Sequence, residues 1–202
     1  MRKRATERDR GLKNVSLREL LDENEQEEEI SRLERQISQS SRSTARTASV
    51  LTATLCAIHL YFAAEQYQRP FSLRHHAPFA VLHDGQISLC VGEVASALAV
   101  GTSGLAIFRF VHPRADGLSW KYALNSAILV TALQMIYWVA AGASVYILSS
   151  SASVLVPWGL IWWKPVPAML MFIMAVMSID SISKMQIDLG LLKRSRYRFK
   201  KI

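Results

Sequence analysis

The chain has 202 residues, half of them hydrophobic, carries a net charge of +8 and contains only two cysteines. Long apolar runs exclude a disordered chain, and two cysteines exclude a disulfide-built scaffold. The basic excess flanks apolar segments, where it holds topology and meets anionic lipid headgroups, so nucleic-acid binding is not expected.

Met1–Arg46 contains no apolar run and holds 11 of the 24 Lys and Arg beside 10 of the 16 Asp and Glu, so it reads as a nearly neutral cytosolic arm. Val15-Ser16-Leu17-Arg18-Glu19-Leu20 is a helix start: Ser16 caps, Glu19 returns the bond three residues on, and Val15 staples to Leu20. The pattern predicts a helix over about 17–38, frayed where Glu25, Glu27, Glu28 and Glu29 crowd like charges. Leu17, Leu20 and Leu21 form one apolar patch and Ile30, Leu33 and Ile37 another, out of heptad frame with the first. A long coiled coil is not expected; the segment reads either as a solvated helix that frays in its acidic centre or as carrying two partner-docking patches. Residues 38–46 read as a Ser/Arg-rich linker, so the rest of the arm is helical or disordered. The early Arg residues resemble a mitochondrial presequence, but Glu7 and Asp9 interrupt them. No cleavable signal peptide is expected, because more than forty polar residues precede the first apolar segment.

Four apolar stretches follow, Thr47–Ala64, Ile87–Phe108, Tyr122–Ser149 and Leu155–Ile182. Each approaches or exceeds the ~20 residues that a membrane-crossing helix needs. The expected fold is therefore all-α and polytopic: four transmembrane helices over 47–183, with a basic cytosolic tail over 184–202. In the last stretch Pro157, Pro165 and Pro167 interrupt the run, and Trp158, Trp162, Trp163 and Lys164 are interfacial residue types. Leu155–Trp163 is accordingly read as interfacial or re-entrant and Pro165–Ile182 as the true fourth helix. Fourteen juxtamembrane Lys and Arg fall on one side of this topology and three on the other, which predicts cytosolic termini.

Ionisable residues at membrane depth are expensive and default to functional candidates. On this topology His59 lies ~3 Å and Glu93 ~6 Å outside the midplane, at the helical rise per residue. A His59–Glu93 pair with Gln134 nearby makes a buried polar cluster, read either as structural glue between three helices or as a proton- or ion-handling site. Gly92, Ser96, Ala99 and Ser103 share one helix face and form the expected packing surface; Ala127, Thr131, Gln134, Trp138 and Ala141 form a comparable stripe on the third span. Cys56 and Cys90 lie within spans as small buried side chains. His75, His76, His83 and Asp84 cluster in the first loop, but their spacing matches no standard zinc pattern, so the loop is read as solvated and no metal is expected.

In the tail, Leu189, Leu191, Leu192, Tyr197 and Phe199 interleave with basic residues, which predicts a segment lying on the cytosolic membrane face. Arg198, Lys200 and Lys201 resemble a dibasic endoplasmic-reticulum retrieval signal with Arg in place of one Lys. A basic cluster that only sets topology has the same appearance.

No stretch carries a catalytic or cofactor signature, so neither an enzymatic activity nor a cofactor is expected. The first expectation is a non-enzymatic accessory or scaffold subunit of a membrane complex in the endoplasmic reticulum or nuclear envelope. Its partners are lipid and a second membrane protein or another copy of itself, and the mitochondrial inner membrane is the alternative location. The second is a small transporter or ion-handling protein built on His59, Glu93 and Gln134. An intramembrane lipid enzyme trails both, lacking a paired nucleophile and base.

Overall fold

The computed structural model describes residues 23–82, 85–112, 119–151 and 163–199. Leu17, Leu20, Leu21, His83, Asp84, Lys200 and Lys201, and residues 155–162 of the interfacial segment, lie outside these. Among the described residues the regular structure is entirely helical. It comprises α1 (Glu23–Gln68), a short 3-10 turn (Ala77–Val81), α2 (Gly85–Val111), α3 (Ser119–Ser151) and α4 (Val166–Phe199). Each long helix contains a stretch apolar enough to cross a membrane, of 42, 27, 31 and 29 residues in turn. The chain is thus all-α, with four candidate spans.

Two expectations about the flanks change. The Ser/Arg-rich residues 38–46 are not an irregular linker; α1 passes through them unbroken. Neither Gly nor Pro occurs between Gly11 and Pro70. Hydroxyls that usually compete with helix also bond back to the preceding turn, as Ser31 does to the Glu28 carbonyl (2.9 Å) and Ser49 to that of Ala45 (2.8 Å). α1 stops where Arg69 precedes Pro70, whose ring disfavours the α conformation in the residue before it. The basic tail likewise forms no separate segment, because α4 continues from Val166 to Phe199 with no proline after its first turn.

The chain divides into two compact units. In the smaller, the described residues are 23–40 and 182–199, tied by a half-exposed Lys193–Glu34 ion pair that contributes ~0–1 kcal/mol. There Ile30, Leu33 and Ile37 are half-buried.

The larger unit, Ser41–Ser181, is the bundle. Helix α2 is its centre, the most buried of the four. Side chains along α1 meet α2 in antiparallel order: Thr52 faces Gly104, Cys56 reaches the Ala97 carbonyl (3.3 Å), His59 meets Glu93, and Cys90 reaches the Ala63 carbonyl (3.5 Å). Gly92, Ser96, Ala99 and Ser103 are all buried, as is the α3 stripe of Ala127, Thr131, Gln134, Trp138 and Ala141. A β-carbon at position 92 would lie 2.6 Å from the Tyr137 ring and 2.7 Å from that of Trp138, so glycine here sets the α2–α3 approach. On α4, Met171 and Ala168 pack with Val100 and Ala99, Ala175 with Ile107, and Ile179 with Ala106. That order is parallel to α2, as an up-down-up-down bundle requires. Without water inside a membrane, such close contacts and internal hydrogen bonds are what hold helices together.

Candidate functional site

Three separate pieces of backbone deliver side chains to one carboxylate on a fourth. Glu93, on α2 one residue after the close-approach Gly92, is fully buried. On α1, His59 and Gln66 stand two turns apart on the same face and are also buried. The third piece is the connection after α1. Pro70 ends the helix, and Phe71 takes a left-handed backbone (φ 61°), unusual for a bulky residue. Its N–H is held by Gln66 Oε1 at 3.1 Å. The chain then turns through His76 N–H to the Leu73 carbonyl (2.9 Å) and Phe79 N–H to the His76 carbonyl (3.0 Å). Phe79 inserts beside Leu89, Trp138 and Val145 and anchors the loop in the bundle. The fourth piece is Lys164, immediately before α4.

His59 Nδ1 donates to Glu93 Oε2 at 2.7 Å, and His76 Nε2 lies 3.1 Å from Oε1. The Lys164 ammonium pairs with the same Oε1. It also sits 5.4 Å from the centre of the Trp138 ring and 5.7 Å from that of Phe62, where ring quadrupoles favour a cation. His76 is fully buried and Lys164 is 2% exposed, so neither side chain takes part through solvent.

His76 presents a proton-counting problem. Its Nδ1 lies 2.8 Å from Gln66 Oε1, and its Nε2 faces a carboxylate. The Phe71 N–H fixes Gln66 Oε1 as an acceptor, since flipping the amide would set its NH2 against that N–H. Both ring nitrogens therefore face acceptors, while a neutral imidazole has one proton to donate. Burial, and then the Lys164 charge, hold His76 below its ordinary value, although the bond to Glu93 opposes this. Burial likewise pushes His75 down to about 4, with Lys164 and His76 adding to the effect. Lys164 is lowered by burial, against the pull of Glu93.

The structure thus brings His59 and Glu93 together but sets Gln134 apart from the carboxylate. Gln134 Nε2 donates instead to Ser96 Oγ (3.1 Å), which also accepts from Trp138 Nε1 (3.0 Å) and donates to the Gly92 carbonyl (2.9 Å). The reason is depth, because Gln134 meets α2 one turn further along than Glu93. The first loop is not simply solvated, since it buries His76 and half-buries His75. Lys164, an interfacial residue by sequence, is in fact buried. Sequence reasoning missed Gln66, His76 and Lys164; the one usable signal was the apolar run Ala77-Pro-Phe-Ala-Val-Leu82, which a solvated loop does not need.

Chemically, the arrangement neutralises a buried carboxylate, ties four chain segments together and offers donors to a cation. His75, His76 and Glu93 each have a ligand atom within 4.8 Å of the others. No protein-family model, curated protein or solved structure matches this chain.

Proposed function

We propose that this is a multi-pass membrane protein serving as a non-enzymatic accessory or scaffold subunit, its bundle held by the Glu93 network. The supporting observation is that both oxygens of Glu93 are engaged within the chain, Oε2 by His59 and Oε1 by Lys164. A charge buried among helices is tolerated when it is paired in this way, and the pairing joins the segments that supply it. The His59–Glu93–Lys164 chain of contacts fastens α1 and the start of α4 to α2, and the His76–Gln66 bond fastens the loop to α1. The apolar faces of α1–α4 are left for lipid, a partner membrane protein or a second copy. In this reading both termini are cytosolic, and Arg198, Lys200 and Lys201 return the protein to the endoplasmic reticulum and nuclear envelope.

Glu93→Gln tests the role. Loss of co-purifying membrane partners, with no change in ion or proton flux in reconstituted vesicles, is the expected result. Intact assembly with abolished flux would overturn the scaffold reading in favour of ion handling. Replacing Arg198, Lys200 and Lys201 by Ala and following the location by microscopy tests retrieval separately.

A further inference from the structure

The geometry points to a divalent transition-metal site, for which Zn2+ is the best-fitting ion, formed by His75, His76 and Glu93 at the mouth of the bundle. Three observations converge on it. First, the Gln66 Oε1 acceptor, fixed by the Phe71 N–H, favours the proton on His76 Nδ1. Nε2 then carries a lone pair aimed at Glu93 Oε1, an arrangement that repels unless a cation lies between them. Metal-bound histidines are oriented in this way, the second ring N–H being donated to a fixed oxygen. Second, the 3.1 Å separation of His76 Nε2 and Glu93 Oε1 is close to the ~3.3 Å edge expected between two ligands of a tetrahedral ion with ~2.0 Å bonds. Third, His75 Nε2 is buried without a hydrogen-bond partner, and the His75 and His76 rings lie 4.4 Å apart. A contraction of ~1.5 Å closes the 4.8 Å set to that same ligand edge.

Two imidazoles and one carboxylate suit a borderline ion such as Zn2+ and leave a fourth position for water. His59, on Oε2, orients the carboxylate without becoming a ligand. Lys164 holds the cation's place in the metal-free protein, and Zn2+ displaces its ammonium from Oε1. Lys164 follows the exposed Trp163 in the chain. Of the three ligands only His75 is partly exposed. The sequence spacing of the loop histidines hid this site, because its carboxylate comes from α2.

The test uses the full chain, purified in detergent with chelator, desalted and titrated with ZnCl2, with retained metal measured by mass spectrometry. One Zn2+ per chain is expected, with a raised unfolding temperature. His75→Gln is expected to weaken binding at least ~10-fold while leaving the metal-free unfolding temperature at neutral pH unchanged, because His75 takes no part in the Glu93 lock. Lys164→Met removes the competing cation and is expected to tighten binding ~10-fold or more. Failure of the wild-type protein to retain zinc, or wild-type affinity in His75→Gln, would overturn the site and leave the scaffold reading untouched.

Discussion

Lys164 and Glu93, 71 residues apart in the chain, form an ion pair in which the lysine side chain is 2% exposed and the carboxylate is fully buried. Desolvating two charges is costly, and their attraction offsets that cost only when the remaining hydrogen-bonding positions are filled. His59 fills the position on Glu93 Oε2.

Removing one partner is therefore expected to be far worse than removing both. Lys164→Met should destabilise the metal-free protein by about 3–5 kcal/mol, as expected when a buried charge loses its partner. The double variant Lys164→Met/Glu93→Leu should recover much of that loss. Denaturant titration in detergent measures both, and a double variant no more stable than the single would show that the unpaired carboxylate is not what destabilises Lys164→Met.

Ser96 accepts from Gln134 and Trp138 at once. Ser96→Ala leaves two buried donors without their acceptor, which should cost about 1–3 kcal/mol. Tryptophan fluorescence should shift as the Trp138 indole loses its bond. An unaltered spectrum and midpoint would mean that the donors find other partners.

Glycine substitutions should divide sharply by position. Gly92→Leu drives a side chain into Tyr137 and Trp138, and Gly104→Val drives one into Thr52. Each should lose about 1–3 kcal/mol or more through overpacking. Gly190→Ala meets nothing within 4 Å and should gain about 0.5–1 kcal/mol as a helix-interior substitution. Thermal midpoints of the three variants check the order.

Acid should weaken the metal-free bundle. Burial holds His75 down to about 4 and His76 below its ordinary value, whereas an unfolded histidine titrates near ~6.5. Between those values the unfolded chain binds more protons than the folded one, so stability rises with pH there and is lost as pH falls from about 6.5 towards 4. Unfolding midpoints measured in chelator across this window should fall with acid, and less steeply in His75→Gln. A flat or rising profile would contradict the buried environment of these rings.

Much of the membrane part was legible because one-dimensional signals set it. Apolar length marks the four helices, and Gly92, Ser96, Ala99 and Ser103 mark the packing face by their spacing alone. His59 and Glu93 were legible as a pair because rise per residue converts position into depth. The flanks were less so: a Ser/Arg-rich composition suits a linker, and only the absence of Gly and Pro says that α1 continues through it.

Composition and spacing were enough to establish that the chain is helical, that four segments are apolar enough to cross a membrane, and which ionisable residues those segments carry. What Glu93 meets besides His59 was settled only in three dimensions. Phe79 pulls a loop that reads as solvated into the bundle and takes His76 with it, and the start of α4 delivers Lys164. Such partners lie 17 and 71 residues from Glu93. No local periodicity records that distance, because the energy holding them comes from burying a charge and not from the propensities of the segments that carry it.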